Sequence, residues 1–570
     1  MTFTKTTTYI ILFFISFLTS YFLLHALPFA TFSLFQELFD QYRISIHASY
    51  VEMIKSFFSI KFHFISDNLS HFPTHVAYQI SWRPILFIYY KLMYDLSGFD
   101  PSPSFVIRYV NIALLTTSIC LLIHTYTRKL WLGFLCAILY LSFPTHWFSH
   151  FWLISTRPVL PLLIMLSGFL WAKAMSQLET KKSSWPKILF YFLAFFFINH
   201  FGARMRELMI SASITLGIYL FLFQIIPYGL RKKTLNIKQF CFTLALGLPL
   251  GILQFTHIYL HDFPTAPTTT PRWFMFFKLF YLGIDFNDIQ PKWGFLFSIR
   301  NIFPSSLLGN LGFYLGWLFL ISGILLLIKI FQSRKQDSTQ SKEKQYLLHF
   351  FISWFLAEMI ILSLGDSIRH ITVPLFPFML LFGLTLNHLL SLFPKKKMIP
   401  ILVALLLIQR SVANMNDLKF FHRHYVGRNI LTHNINDLIY KRLVPLDKQS
   451  PYGFYMNIFH NEGPYEELVT KNMIVFNKRN YAYFSDYGDH IREFKTQEDL
   501  LEQLRLLKKT GSKHVFLLSV NPDIFHWLSK TPYFLLNTTL VTSLTHDFIS
   551  KYFHERKGKF GKVWVGEIKL

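Results

Sequence analysis

Apolar residues in this chain come in continuous blocks of about 20, and this block length constrains the fold more than any other feature. A helix of about 20 apolar residues crosses a bilayer core about 30 Å thick. Charged residues make up only 15 % of the chain, whereas a soluble domain carries about a quarter. The sequence therefore predicts a polytopic α-helical membrane protein embedded in a lipid bilayer, and it excludes an ordinary soluble enzyme.

The apolar blocks predict about eleven transmembrane helices. They lie near 8–27, 105–124, 130–146, 157–175, 187–202, 207–227, 239–259, 306–328, 346–364, 371–391 and 397–412. Lys and Arg concentrate in alternate short loops, as cytoplasmic loops do. This pattern predicts a cytoplasmic N-terminus and an extracytoplasmic C-terminus. The Lys-rich loops and the Phe/Ile/Leu-rich composition favour a bacterial inner (plasma) membrane.

The formal net charge of +25 comes largely from these basic loops. We therefore expect no nucleic-acid partner, because the positive-inside rule explains such an excess in a membrane protein. The three cysteines all fall inside apolar runs without paired spacing. They predict neither a disulfide framework nor a zinc site.

The chain divides into a predicted transmembrane domain, 1–412, and an extracytoplasmic domain, 413–570. Two long outer loops, 28–104 and 260–305, interrupt the first domain. The second is more polar and long enough to fold separately. Its runs 472–477, 514–520, 538–544 and 562–569 have the composition of strands, so we predict a small α/β domain.

Two carboxylates, Glu37 and Asp40, follow the first span. Their three-residue spacing would bring both to one face of a helix. A carboxylate near the membrane surface can act as a general base or hold a divalent cation against a phosphate. The alternative is a solvated amphipathic helix lying in the interface.

Two basic features near predicted outer helix ends are suited to an anion. Arg83 precedes a short apolar run, and Arg369-His370 lies in a very short outer loop before span ten. A guanidinium group binds phosphate in a bidentate manner. Interfacial anchoring is the alternative for both features.

Further ionisable residues sit at span ends, where they could line a polar cavity. They are His146, His150, Arg157, Arg206 and Glu207. Ionisable groups at membrane depth are costly and often functional. A structural Arg–Glu pair, or side chains satisfied by water and headgroups, would explain them equally well.

The order of these features resembles that of the GT-C-type membrane glycosyltransferases, especially protein O-mannosyltransferases and their bacterial relatives. Phe39-Asp40-Gln41-Tyr42 is similar to their acidic motif, and Trp82-Arg83-Pro84-Ile85 to their Tyr-Arg-Pro-Leu motif. Asn111, Pro144-Thr145-His146, Arg206-Glu207 and Arg369-His370 follow in matching order. The resemblance covers roughly 1–410. Gln41 stands in place of the second acid of the motif, and Phe148 stands where relatives often carry Glu.

The resemblance implies a GT-C-like fold and an inverting transfer of sugar from a polyprenyl-phosphate donor to an extracytoplasmic protein, lipid or glycan. Asp40 would be the general base, with Glu37 as a partial substitute for the missing acid. Arg369, assisted by His370 or Arg83, would neutralise the donor phosphate. Some relatives need a divalent metal, Mg²⁺ or Mn²⁺, for which Asp40 would be the ligand.

Two other classes stay open at this point. An O-antigen-type glycan polymerase or ligase also has many spans and outer-loop arginines, but it needs no acidic base such as Asp40. A non-catalytic membrane scaffold or transporter would be indicated by charged residues deep inside spans, and few appear in this sequence. The altered acidic motif, with Gln41 in place of an acid, keeps a non-catalytic GT-C-fold protein open as well.

Overall fold

The computed structural model describes most of the predicted helices and part of the C-terminal region. The described residues are 5–25, 49–58, 83–97, 102–143, 159–179, 184–205, 209–230, 235–260, 342–364, 372–392, 398–412, 414–415, 453–457, 501–502, 504–505, 514–519, 523–531, 535–543 and 562–569.

Twelve α-helices come before the first strand in this part of the chain. They are α1 (Lys5–His25), α2 (Tyr50–Phe58), α3 (Pro84–Ser97), α4 (Ser102–Thr127), α5 (Leu130–Ser142), α6 (Leu160–Glu179), α7 (Trp185–Met205), α8 (Ile210–Gly229), α9 (Ile237–Leu260), α10 (Lys342–Leu364), α11 (Thr372–Leu392) and α12 (Met398–Val412).

Six of these helices are long and apolar enough to cross a membrane. They are the helical stretches Val106–Thr127, Leu160–Glu179, Trp185–Met205, Ile210–Gly229, Ile237–Thr256 and Thr372–Leu392. The chain is therefore an integral membrane protein. Span 306–328 lies outside the described residues, so the total of eleven spans stays a prediction, as does the orientation.

The chain forms two compact units. The first comprises Met1–Leu24, Trp82–Leu86 and Ser104–Phe421, and the second comprises His25–Ser81, Phe87–Pro103 and His422–Leu570. The first unit contains the six candidate spans. The predicted domain boundary at 412/413 stays a prediction.

In the first unit, α1 and α4 run antiparallel. The Tyr9 hydroxyl forms a hydrogen bond with Nδ1 of His124, and the Tyr21 ring lies 5.9 Å from the Tyr109 ring. Residues early in α1 thus contact residues late in α4, and residues late in α1 contact residues early in α4. Two independent contacts fix this pairing.

Two glycine residues allow neighbouring helices of this unit to approach closely, as small residues do between membrane helices. A Cβ added to Gly133 of α5 would lie 2.6 Å from the backbone oxygen of Cys120 in α4. A Cβ on Gly383 of α11 would lie 2.5 Å from Ile123 of α4. No larger residue fits either position without movement of a helix or a side chain.

A polar cluster joins α6, α9 and α10 at one end of the bundle. The Tyr346 hydroxyl donates to Glu179 and accepts from the Gln239 amide. Lys342 Nζ lies 2.8 Å from Glu179 Oε2. These contacts fix the C-terminus of α6 against the N-termini of α9 and α10.

Helix α8 changes its winding in the middle. It is α-helical over Ile210–Tyr219, π-helical over Leu220–Ile225 and α-helical again over Ile226–Gly229. Such single π turns are uncommon and widen the helix by one residue. The Phe223 ring, inside the π turn, stacks on His349 of α10 with centroids 4.0 Å apart.

In the second unit, α2 contacts the later turns of α3. The Tyr50 hydroxyl donates to Asp95 Oδ2 at 2.7 Å, and Lys91 Nζ lies 5.2 Å from the centre of the Tyr50 ring. Partial desolvation and this hydrogen bond raise the pKa of Tyr50 to about 12.

The C-terminal part of this unit contains a four-stranded sheet and one more helix. The strands are β1 (Gly453–Asn457), β2 (His514–Ser519), β3 (Leu535–Ser543) and β4 (Lys562–Lys569), with α13 (Asp523–Ser529) between β2 and β3. Their spatial order is β1-β2-β4-β3. Strand β1 pairs with β2 in parallel, and the other pairs are antiparallel. The last three strands overlap predicted strand segments, and the predicted strand 472–477 lies outside the described residues. The compact α/β domain itself stays a prediction.

Candidate functional site

One of the predicted site residues lies in the part of the chain that the structure describes, and this residue is Arg83. The others lie outside it: Asp40, Glu37, Arg369, His370, His146, His150, Arg157, Arg206 and Glu207. Their roles therefore stay predictions. The described residues add other polar groups, of which the sequence analysis named Asn111 alone.

Arg83 immediately precedes α3 and is only 9 % exposed. Pro84 opens the helix, a position where its missing N–H costs nothing, and the Leu86 N–H donates to the Arg83 carbonyl at 3.0 Å. A guanidinium group is expensive to bury unless anionic or polar groups surround it. Arg83 thus sits beside a helix N-terminus, where backbone N–H groups and the helix dipole also favour an anion.

Two further polar side chains are buried early in α4. Arg108 is 5 % exposed and Asn111 is 4 % exposed. Because α1 and α4 are antiparallel, they lie at the end of the bundle where α1 finishes. The predicted orientation makes this the outer end. Arg108 is visible in the sequence as a cation inside an apolar block.

Four helices share a buried hydrogen-bond chain. Asn199 Nδ2 of α7 donates to Ser167 Oγ of α6 at 2.9 Å, and Gln254 Nε2 of α9 donates to the backbone oxygen of Asn199 at 3.5 Å. Ser213 Oγ of α8 donates to Gln254 Oε1 at 2.8 Å. The four residues are at most 8 % exposed, so this chain links α6, α7, α8 and α9 inside the bundle.

Glu358 of α10 lies in the same part of the first unit and is 2 % exposed. Trp354 Nε1 donates to its Oε1 at 2.9 Å. Ser211 of α8 lies beside the carboxyl group. Its hydroxyl oxygen is buried and forms no hydrogen bond with a described residue. The sequence shows Glu358 as a lone acid in an apolar block, the signal by which it could have been found.

These residues form what we call the polar layer, defined as Ser167, Asn199, Ser211, Ser213, Gln254 and Glu358. Each lies between about 2 and 10 Å from one end of its helix, at a rise of about 1.5 Å per residue. These ends are the N-termini of α6 and α8 and the C-termini of α7, α9 and α10. They are opposite the Glu179 cluster, and the predicted orientation makes them extracytoplasmic.

An apolar groove of about 560 Å³ runs between α8 and α9. Gly217, Gly247 and Gly251 line it together with branched and aromatic side chains, and Ser213 of the polar layer lies on its wall. The groove therefore places an apolar surface next to the polar layer.

The metal prediction is not tested by the described residues. Among them, no three His, Cys, Asp or Glu side chains stand close enough together to hold an ion. Asp40, the predicted ligand, lies outside them.

Comparisons with known proteins give structural likenesses only. No protein-family model matches the sequence, and no curated protein matches it. The structure is similar to ArnT from Cupriavidus metallidurans in the apo state, with a TM-score of 0.46 and 12 % identity over 99 % of this chain and 98 % of that one.

Two further likenesses have similar values. For ArnT bound to undecaprenyl phosphate, the TM-score is 0.42 and the identity 13 %, over 98 % of each chain. For the archaeal oligosaccharyltransferase AglB from Archaeoglobus fulgidus, in complex with an inhibitory peptide and a dolichol-phosphate, they are 0.44 and 13 %, over 90 % of this chain and 69 % of that one.

Proposed function

We propose that this chain is a membrane glycosyltransferase that moves a sugar from a polyprenyl-phosphate donor to an extracytoplasmic acceptor. The observation that carries the proposal is the buried Arg83 at the start of α3. A guanidinium group that is desolvated beside a helix N-terminus is suited to an anion such as a lipid phosphate. The ordered motifs from Asp40 to Arg369 support the same class.

In the proposed reaction, an acceptor hydroxyl attacks the anomeric carbon of the donor sugar. Asp40 takes the hydroxyl proton as general base. The bond from the anomeric carbon to the phosphate oxygen breaks, and the lipid phosphate leaves with the electron pair. Attack from the face opposite the leaving group inverts the anomeric configuration.

The basic residues would act on the leaving group. Arg83, Arg369 and His370 would neutralise the phosphate as negative charge builds up on it, which is electrostatic stabilisation of the transition state. The polyprenyl tail would lie on apolar surface between helices, of which the α8–α9 groove is an example. A divalent metal at Asp40 would supply further positive charge when bound.

The first test is sugar transfer by purified protein in lipid, with a panel of radiolabelled polyprenyl-phosphate sugars, with and without chelator. Asp40→Asn should abolish transfer while the protein remains folded. Full activity in that variant would contradict the general-base role. If no donor is turned over by folded protein, the polymerase, ligase or non-catalytic alternative is favoured.

The second test addresses Arg83. Loss of a charge-assisted hydrogen-bonded contact with phosphate costs roughly 1.5–3 kcal/mol, so Arg83→Gln should lower kcat/KM for the donor about ten- to a hundredfold. Arg83→Lys should lose less, because it keeps the charge but not the bidentate geometry. Arg128→Gln is the matched control, since Arg128 is exposed and directly follows the C-terminus of α4. An unchanged kcat/KM in Arg83→Gln would refute the phosphate contact.

A further inference from the structure

The apolar groove between α8 and α9 has the size and the composition of a binding site for a hydrocarbon chain. Its volume of about 560 Å³ lies in the range of ligand pockets, roughly 300–1,000 Å³. Its lining residues all belong to 210–220 of α8 and 243–256 of α9, and none of them is charged. Because a charged group would be costly to bury there, the part of a ligand that enters the groove must be apolar.

Glycine residues create the space of the groove. A Cβ added to Gly247 of α9 would lie 3.2 Å from Leu216 Cβ of α8. A Cβ on Gly251 would lie 3.6 Å from Ser213 Cβ, so the two helices run antiparallel and approach closely. A Cβ on Gly217, by contrast, would meet no atom of the described residues within 4 Å. Since Gly217 lines the groove, a larger side chain at this position would occupy part of it.

The groove is as long as one leaflet of a bilayer is deep. Its α8 wall extends from Ile210 to Leu220, which is about 15 Å at about 1.5 Å per residue. A bilayer core is about 30 Å thick, so one leaflet contributes about 15 Å. The groove begins at the N-terminus of α8, the end that the predicted orientation makes extracytoplasmic. It therefore extends from the outer surface to about the middle of the bilayer.

The groove is continuous with the surface that α9 presents to the bilayer. Four of its apolar lining residues follow one another at intervals of three or four positions and are 40–63 % exposed: Leu244, Leu248, Ile252 and Phe255. Helix α9 contains a candidate membrane span, so this exposed face contacts lipid. A chain of a neighbouring lipid can thus enter the groove sideways, without passing through the bundle.

The length of the groove distinguishes between the hydrocarbon chains of a membrane. An acyl chain of a phospholipid extends over one leaflet, because the acyl chains of the two leaflets together make the apolar core. A long polyprenyl tail carries a methyl branch in each isoprene unit and extends beyond one leaflet. Only a part of such a tail would fit, whereas an unbranched acyl chain fits over its whole length.

We propose that the α8–α9 groove binds one acyl chain of a phospholipid of the outer leaflet. The polyprenyl tail of the proposed donor then lies on other apolar surface of the bundle. The site does not depend on the proposed function, because none of its lining residues takes part in the proposed reaction. A lipid that binds only the folded chain also stabilises it, so the bound chain supports the packing of α8 against α9.

The test is photo-crosslinking of the full chain in phosphatidylcholine nanodiscs. A trace of the phosphatidylcholine carries a diazirine at the methyl end of one acyl chain, and mass spectrometry locates the crosslinks. Helix α7 is the internal reference for bulk lipid, because Leu193 and Phe197 are exposed near the middle of a candidate span. In wild type, crosslinks on 210–220 and 243–256 should be severalfold more frequent than those on α7.

The position of the diazirine tests the direction of the chain. A diazirine at the methyl end should label residues near Leu220 and Leu244. A diazirine close to the ester should instead label residues near Ile210 and Thr256, at the outer end of the groove. The reverse pattern would contradict binding from the outer leaflet.

Two variants of α8 test whether the chain lies in the groove. Gly217→Leu fills the groove and should lower the ratio of α8–α9 crosslinks to α7 crosslinks at least about fivefold, the effect of overpacking an occupied site. Gly229→Leu is the matched control, because a Cβ on Gly229 also meets no described atom within 4 Å and Gly229 does not line the groove. It should leave the ratio unchanged. The Tm of each variant shows whether it is folded, and Gly217→Ala, with a smaller expected loss, replaces Gly217→Leu if that variant does not fold.

Three further results would overturn the proposal. Crosslinks that are no more frequent in the groove than on α7 would mean that bulk lipid alone is labelled. An unchanged ratio in folded Gly217→Leu would mean that the chain lies elsewhere. Loss of the groove crosslinks on addition of a synthetic polyprenyl monophosphate would assign the groove to the polyprenyl tail instead.

Discussion

The contact between α4 and α5 makes a quantitative prediction at Gly133. A Cβ there would lie 2.6 Å from the Cys120 backbone oxygen, whereas ordinary contact begins at 3.4 Å. In Gly133→Ala, two backbones must therefore separate by about 0.8 Å, since neither side of the clash is a flexible side chain. A gap of 0.5–1 Å forfeits about a quarter to a half of the dispersion energy of the atoms involved.

The matched control is Gly217→Ala in α8. Its added Cβ would meet no atom within 4 Å. Both variants gain up to about 1 kcal/mol of helix propensity from replacing glycine, but only Gly133→Ala has an overpacking cost of about 1–3 kcal/mol. The two variants should therefore differ in stability by about 1–3 kcal/mol.

Thermal unfolding of the purified protein in detergent would measure this difference. We expect the Tm of Gly133→Ala to lie a few degrees below that of Gly217→Ala, given about 2–4 °C per kcal/mol for a domain of 150–250 residues. Gly217→Ala should equal or slightly exceed wild type. Equal shifts in the two variants would refute the close approach of α4 and α5.

Three other predictions concern polar contacts. Asn199→Leu removes the donor to Ser167 and should cost about 0.6–1.7 kcal/mol, the range for hydrogen bonds between membrane helices; an unchanged Tm would contradict the buried hydrogen-bond chain. Lys342→Gln should cost less than about 1 kcal/mol, and the loss should shrink at high salt, because this ion pair is partly exposed. The pair Tyr50–Asp95 favours the neutral phenol, so its contribution to stability is present below about pH 10 and is lost as the pH rises through about 12. The tyrosinate absorbance of wild type minus that of Tyr50→Phe should titrate near that higher value, and a midpoint near 10 would count against the bond.

The predicted helices follow from features that are local in the sequence. Block length defines the six candidate spans, because each helix satisfies its own backbone in an apolar medium. The start of α3 is equally local, since Arg83-Pro84 places proline where a helix can begin. Such features need no knowledge of what packs against them.

The polar layer could not be predicted in the same way. Glu358 and Ser211 lie far apart in the sequence, and only the packing of α8 against α10 brings them together. A single acid in an apolar block does not indicate its partner. The expectation that few charged residues lie inside the spans also needs qualification, because Arg108 and Glu358 are both buried in helices of the first unit.

The π turn in α8 has a consequence for how the two halves of that helix are related. One residue accounts for about 100° of rotation in an α-helix, so the extra residue turns the later half by roughly that angle relative to a regular helix. Ser211 and Ser213 can then face their partners while Phe223 still reaches His349. Deletion of one residue from Leu220–Ile225 would force a choice between the two sets of contacts. The π turn thus rotates the second half of α8 relative to the first, so that both halves face their neighbouring helices. A regular α-helix could not satisfy both sets of contacts.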